Sequence, residues 1–497
     1  MRRPFHPARL RATRGIAIAA ATTLALAGVG LGVSGCDRNP ATGRPQLALM
    51  SEEQEIELGR DAAAEVAQSL GLVENPELQR YVERVGRELA RHSERPGLPW
   101  SFRVVDDPTP NAFALPGGPI FVTRGLLALL NSEAELASVL GHEIAHVTAR
   151  HAVNQLSRQQ LAELGLNLGV RLFPNLQQLA GFAGAGLGLL FLKNGRDAER
   201  QADELGFGYA LERNYDVAEM ADVFVALQRA GEIEGRAGLP GWLSTHPAEP
   251  ERIRAVERRI AELRQAQPDP RVGRDEYLRR IDGLPYGENP RNGYFRGGTF
   301  YHPDLAFRFD VPREWPTKNM TSAVLALSPE RDGLVQLTLS PLGAEEAARS
   351  LLAQPGVRGD SVRQSFNGVP AIVTEFSADA DQGPVRGYAA FLTHRGTTYQ
   401  LVTHAPAPAF ATHARAFRAV IESFAPLTDP AALAAQPERL AVVRLQRPMS
   451  LEEFVRSTPG AGSVAQLALL NQVDDAARQL PAGTLLKRLA RGRAVGR

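Results

Sequence analysis

Apolar residues in this chain repeat with a helical period in one part and a strand period in another, and no single layer of structure satisfies both. Before position 283, Leu78, Tyr81, Val82, Val85 and Leu89 fall on one face of a helix expected over 76–92. After position 298 the spacing changes to two: Leu305, Phe307, Phe309 and Val311 alternate, and so do Val335, Leu337 and Leu339. Between them, 283–298 is rich in Gly, Pro and Asn and marks a boundary. At 497 residues the chain exceeds what one core can enclose. The expected architecture is α+β and multidomain. A mainly helical unit with a small sheet spans 51–282, followed by a linker over 283–298 and an α+β domain over 299–425. A second linker over 426–438 leads to a small module with a basic tail over 439–497.

Inside the first unit, Ser51-Glu52-Glu53-Gln54 has the form of a capping box, and Ser132-Glu133-Ala134-Glu135 of a second one just before an apolar helix. Phe102 to Val105 reads as a strand, and 111–122 as two strands about a Gly117-Gly118 turn. Further helices are expected over 196–211, 217–229 and 249–265. The apolar run 179–192 is shorter than the roughly 20 residues that span a bilayer; it suits a buried helix or an interfacial hairpin. In the α+β domain, strands are expected over 371–376, 388–392 and 397–402, the last two joined at His394-Arg395-Gly396, with a helix over 410–424.

Charge and cysteine content narrow the chemistry. Net charge is +1, with 56 Lys and Arg against 55 Asp and Glu, so nothing global favours nucleic acid as a partner. The single cysteine, Cys36, excludes an intramolecular disulfide and any Cys-based zinc site. A metal site here must use His and carboxylates.

His142 and His146 supply the first of these. Four residues on a helix turn through about 400°, which stacks the two rings one turn apart on one face, where they can share a tetrahedral metal. Glu143, next to His142, cannot comfortably share that metal; its place is beside it as a general base. A third ligand is needed. His151 is set aside, because the helix is expected to continue through it and to carry its ring about 180° from His142; it is a surface group or a neighbour of the ligands. Glu199, in Glu199-Arg200-Gln201-Ala202-Asp203, completes a His₂Glu set with one position open. Asp203 shares a helix face with it and can accept a hydrogen bond from a ligand imidazole.

These pieces together resemble the HtpX/BepA-type zinc peptidase family, which also contains the CAAX prenyl protease. The resemblance rests on His142-Glu143-Ile144-Ala145-His146, on Glu199-Arg200-Gln201-Ala202-Asp203, and on Thr245-His246-Pro247 followed by Arg252-Ile253; Asn39-Pro40 through Gly59 is similar to the start of periplasmic lipoprotein members. It covers about half the chain, 39–265. It implies a zincin-type (gluzincin) catalytic domain, one zinc ion per chain, and cleavage of protein or peptide substrates. His246 could approach the zinc to stabilise an oxyanion, fill the open metal position, or simply enter a helix before Pro247. Arg252 could stabilise the oxyanion or pair with a carboxylate. Asn111, Ala112, Phe113 and Ala114 could form an edge strand that a substrate backbone extends, or an ordinary hairpin over the core.

The N-terminus carries an address. Arg2, Arg3, Arg9, Arg11 and Arg14 precede an apolar stretch over 15–33, the pattern of a secretory signal over 1–36. Its end, Val33-Ser34-Gly35-Cys36, resembles a bacterial lipobox, which implies diacylation of Cys36, a tether over 37–50 and a lipid-anchored periplasmic protein. Asp37 resembles an inner-membrane retention signal. This branch of the family is associated with envelope protein quality control, with envelope assembly proteins among the partners. Two other functions compete: a chaperone-like scaffold with a structural zinc, which would have no use for Glu143, and a cell-wall hydrolase or binder. The latter rests on 440–489, which resembles a degenerate LysM module of βααβ type, with Arg447-Pro448-Met449-Ser450-Leu451 where that module carries Gly-Asp-Thr-Leu. The α+β domain resembles the PsbP/Mog1-like fold.

Overall fold

A computed structural model describes residues 36–165, 189, 194–233, 242–247, 250–263, 267–380 and 383–491. The expected signal, up to position 35, and all of the apolar run 179–192 except Leu189 lie outside the described residues.

The first described strand, β1 (Cys36–Arg38), pairs antiparallel with β2 (Pro45–Leu47). Asn39 closes the turn between them, its Oδ1 accepting from the Ala41 and Thr42 N–H groups at 3.0 and 3.1 Å. The stretch 37–50, expected to be a tether, is laid on the folded body. Asn39 Nδ2 donates to Ala149 O (3.2 Å), Leu49 N to Ser157 Oγ (2.9 Å) and Arg150 Nη2 to Met50 O (2.7 Å). Backbone groups of this polar stretch find fixed partners there, and Asn39 is buried.

Helix α1 (Glu52–Leu70) begins with the expected capping box: Ser51 Oγ accepts from Gln54 N, and Gln54 Oε1 accepts from Ser51 N, an arrangement worth about 1 kcal/mol. Helix α2 (Pro76–Ala90) is capped by Asn75 and buries Leu78, Tyr81, Val82, Val85 and Leu89, the face predicted by their spacing. Strands β3 (Ser101–Val105), β4 (Ala112–Ala114) and β5 (Pro119–Thr123) form a sheet in the order β3-β5-β4, parallel between β3 and β5 and antiparallel between β5 and β4. The β4–β5 turn needs Gly117: its φ is 74°, and a Cβ there would stand 2.6 Å from Ile56 Cα.

Helix α3 (Arg124–Leu129) leads to α4 (Glu133–Thr148), whose 16 residues are all buried. Leu136, Leu140 and Ile144 each contribute about 1.5–3 kcal/mol by leaving water. Ser132 caps α4 as expected, accepting from Glu135 N at 3.0 Å. The other half of that predicted capping box is absent. The Glu135 carboxylate accepts from Asn131 N (2.7 Å) and Gln472 Nε2 (3.0 Å) rather than from Ser132 N, because the C-terminal module is packed against this end of the helix.

The helix does not continue through His151. It ends at Thr148, Arg150 takes a left-handed conformation (φ 57°), and α5 (His151–Gly165) sets off anew. The turn is fixed from outside. Glu55, only 1% exposed, accepts from Arg150 Nε at 2.9 Å and from both Nη atoms of Arg95, while Arg95 Nη1 also donates to Val147 O. Helices α6 (Arg196–Glu212), α7 (Glu219–Ile233), α8 (Trp242–Thr245), α9 (Pro250–Leu263) and α10 (Arg274–Ile281) complete the unit. Helices α4 and α6 touch at two glycines: a Cβ on Gly206 would lie 2.6 Å from His142 N, and one on Gly141 would lie 2.8 Å from Gly206 O. This approach brings the Glu199–Asp203 face of α6 against the His142–His146 face of α4.

The stretch 283–298 carries β6 (Pro285–Tyr286) and β7 (Tyr294–Arg296). With β8 (Thr299–His302) and β9 (Phe307–Asp310), β7 belongs to a four-stranded sheet. Strands β10 (Thr317–Asn319), β11 (Ala323–Leu327) and β12 (Leu334–Ser340) precede helix α11 (Ala344–Leu352). Then follow β13 (Val357–Phe366), β14 (Val369–Ala380), β15 (Gly383–His394) and β16 (Thr397–Pro406). These seven form an antiparallel sheet in the order β10-β11-β12-β16-β15-β14-β13. The predicted tight turn falls at Arg395 and Gly396, both with positive φ. Helix α12 (Phe410–Glu422) packs Phe417 and Ile421 into a core with Phe307, Phe309 and Tyr399. Strand β17 (Ala425–Pro426) joins β9, and α13 (Pro430–Leu433) follows.

The C-terminal module runs β18 (Glu438–Arg444), α14 (Leu451–Ser457), α15 (Val464–Asn471), β19 (Leu485–Arg491). It shares the core of the first unit through Leu440, Leu470 and Leu489, and β18 pairs with β6. Among the described residues, no helix is long and apolar enough to cross a membrane.

Candidate metal centre

Helix α4 presents His142 and His146 one turn apart, with their Nε2 atoms 3.0 Å from each other. Across the α4–α6 contact, Glu199 Oε1 lies 3.4 Å from His146 Nε2 and Oε2 lies 3.6 Å from His142 Nε2. His246, just past α8, brings Nδ1 to 2.9 Å from Glu199 Oε1 and 3.3 Å from His142 Nε2. One ligand atom from each of His142, His146, Glu199 and His246 lies within 4.8 Å of all the others, and all four residues are buried. Ring nitrogens and a carboxylate oxygen converging on one buried point have too few protons among them to satisfy each other; a cation satisfies all at once. His with carboxylate is a donor set that zinc accepts.

Glu143 stands beside this cluster and outside it. Its carboxylate is 1% exposed and accepts from Trp242 Nε1 at 3.1 Å, with His246 Nε2 at 3.6 Å from the same oxygen. The Trp242 ring stacks on His246, centroids 4.8 Å apart, and meets His142 edge-on. Sequence reasoning missed Trp242. Its signal was faint: one of three tryptophans in the chain, four residues before His246.

Asp203 Oδ1 lies 3.0 Å from His142 Nδ1, where the sequence placed a carboxylate to orient a ligand imidazole, although the contact is poorly aligned for a hydrogen bond. Of the two possibilities for Arg252, the geometry realises pairing with carboxylates. Its Nε and Nη2 each donate to Asp203 at 2.7 Å, and Nη1 lies 2.8 Å from Glu199 Oε2 and 2.7 Å from Pro247 O. Arg252 thus holds the residues that face the metal cluster.

The charges follow from these contacts. Burial disfavours a charged His142, but Asp203 and Glu199 together outweigh it and lift it to about 9. Burial likewise opposes the charge on Glu199, yet His246 and His142 hold it well below the usual carboxylate range. Asp203 is also lowered against its burial, chiefly by Arg252. Burial holds His146 well below the usual imidazole value.

His151 is not where the continuous helix would have put it. The turn at Arg150 brings its Nδ1 to 2.8 Å from His146 Nδ1, on the side away from the cluster, and it contributes no atom to the four-residue group.

In β4, Asn111 O accepts from Thr123 N (2.9 Å) and Leu115 N donates to Pro119 O (2.8 Å). By the alternation of an antiparallel pair, the peptide groups of Ala112 and Ala114 turn to the other side, the outer edge of this sheet among the described residues. Phe113 between them points into a buried cluster with Phe121. The start of the strand is tied to the centre, since Pro110 O accepts from Trp242 N at 3.1 Å.

Residues 76–260, which carry all of these side chains, match Peptidase family M48. They belong to that family. M48 peptidases are zinc-dependent, and the cluster of His142, His146, Glu199 and His246 could hold that ion. The mitochondrial metalloendopeptidase OMA1 of Schizosaccharomyces pombe is 32% identical over 227 residues, 45% of this chain and 66% of that protein. The beta-barrel assembly-enhancing protease of Yersinia pestis is 29% identical over 253 residues, 49% of this chain and 50% of that protein. The chain thus spans between about half and two thirds of the curated M48 relatives it matches. Among solved structures, that of cyanobacterial PsbP from Synechocystis is 14% identical, covering 26% of this chain and 93% of that one with a TM-score of 0.22.

Proposed function

We propose that the chain is a zinc-dependent metalloendopeptidase, tethered by lipid on Cys36 in the bacterial periplasm, that hydrolyses misfolded or unassembled envelope proteins. One observation carries the hydrolytic part: a buried acid, Glu143, stands beside a His142–His146–Glu199 metal set without joining it. A purely structural site has no use for such a group. Zinc held by His142, His146 and Glu199 would supply Lewis acidity toward water and the scissile carbonyl. Glu143 takes the proton from the attacking water and delivers it to the leaving amine. Trp242 keeps the Glu143 carboxylate aimed through its N–H. An extended substrate adds to the outer edge of β4 through the Ala112 and Ala114 peptide groups, giving affinity with little sequence preference. His246 sits against the ligands, where it either occupies the open metal position at rest or stabilises the oxyanion once substrate displaces it.

The names of two relatives support the substrate class: one is a protease that enhances β-barrel assembly, and the other a metalloendopeptidase of mitochondria. The lipobox-like Val33-Ser34-Gly35-Cys36 supports the anchor, and Asp37 favours the inner membrane. The activity is tested by casein cleavage with the full chain, expected to be abolished by a chelator and restored by zinc; cleavage indifferent to both would contradict it. Mass spectrometry tests the anchor. A diacylated Cys36 at the mature N-terminus is expected, and an unmodified peptide running through Cys36 would refute it.

A further inference from the structure

Three side chains that are not in the ligand set form a line of contacts ending on His146. His146 Nδ1 lies 2.8 Å from His151 Nδ1, His151 Nε2 lies 3.0 Å from Gln201 Oε1, and Asn39 Nδ2 lies 3.5 Å from that same oxygen. Hydrogens along this line can be assigned from donor and acceptor types alone. His146 turns Nε2 to the metal cluster, so its lone pair belongs there and its hydrogen is on Nδ1. Two neutral ring nitrogens 2.8 Å apart need one hydrogen between them; His151 Nδ1 therefore accepts, and its hydrogen is on Nε2. Gln201 Oε1 is the matching acceptor. Turned the other way, the Gln201 amide would face two donors, from His151 and Asn39, with a third.

The line reaches the β1–β2 hairpin. Asn39 is held there by its own turn and by Ala149 O, at the very bend that swings His151 back onto His146.

We propose that His151 is a positioning residue that fixes the tautomer and ring orientation of His146. Gln201 and Asn39 transmit that constraint from the N-terminal hairpin, three residues after Cys36 and outside the 76–260 match. The hairpin is thereby part of the metal centre. This rests on His146 being a zinc ligand and is independent of whether the chain cleaves peptides.

The test is zinc affinity of the full chain, by competition with a graded chelator. His151→Leu keeps apolar bulk but offers no acceptor, and affinity should fall by roughly 10–100-fold. His151→Asn, whose amide oxygen can take the place of Nδ1, should recover most of that loss. Asn39→Ala should weaken zinc binding in the same direction by less. Wild-type affinity in His151→Leu, or equal losses in the Leu and Asn variants, would overturn the orienting role. Wild-type affinity in Asn39→Ala would overturn the part assigned to the hairpin. His146→Ala separates the premise: should it bind zinc like the wild type, the ligand assignment falls and the orienting role with it.

Discussion

Arg252 grips Asp203 through two parallel hydrogen bonds of 2.7 Å, while the same carboxylate lies 3.0 Å from Nδ1 of His142. All three side chains are buried. Asp203 thus stands between a permanent cation and an imidazole of the cluster, and its removal takes the two-pronged acceptor from Arg252, which keeps Glu199 and Pro247 O. Asp203→Ala is expected to cost about 1.5–3 kcal/mol of stability, the scale for losing hydrogen bonds to a charged group when part of the pairing survives. Zinc affinity should fall by roughly 10–100-fold. Arg252→Lys should show a milder form of the same defect, because an ammonium cannot reproduce the two-pronged contact. Thermal unfolding and chelator competition on both variants check this; an Asp203→Ala protein as stable as the wild type would contradict it.

Trp242 acts on the base rather than on the metal. Trp242→Phe keeps an aromatic ring against His246 but removes the N–H given to Glu143. A hydrogen bond to a charged group is worth about 1.5–3 kcal/mol, so kcat should drop by roughly ten- to a hundredfold. Zinc content should be unchanged. Loss of zinc with preserved kcat per bound metal would show the opposite division of labour.

The C-terminal module is fastened at the N-terminal end of α4. Lys487 Nζ donates to Ala128 O and Leu130 O at 2.8 Å and to Leu129 O at 3.2 Å, in the buried neighbourhood of Glu135. Lys487→Met leaves those three buried carbonyls without their donor, with an expected loss of about 1–3 kcal/mol, the scale for buried polar groups left unsatisfied. The melting temperature of the full chain should fall clearly. An unchanged melting temperature would mean that the module merely rests on the first unit.

What the sequence disclosed was local. The His142–Glu143–His146 spacing is decided within one turn of helix, and the α2 face and the β15–β16 turn depend on neighbours in sequence. What it concealed depended on distant partners. Nothing near Arg150 announces a left-handed turn; Glu55, Arg95 and Met50 impose it, and it carries His151 onto His146 when a continuing helix would have turned it away. Glu135 leaves its capping box because Gln472 and Lys487 arrive from far along the chain. Asn39 reads as tether until Ala149 is seen beside it. Arg252 had two plausible roles, and only the packing of α6 against α9 chose between them.

The most direct measurement pairs zinc stoichiometry with casein cleavage for Glu143→Gln and Glu199→Ala. Glu143→Gln removes only the proton acceptor; it should bind one zinc per chain and lose cleavage by several orders of magnitude, within the roughly 10²–10⁴-fold usual for general base catalysis. Glu199→Ala removes a ligand and should lose zinc itself. Near-wild-type cleavage by Glu143→Gln, or full zinc occupancy in Glu199→Ala, would contradict the account.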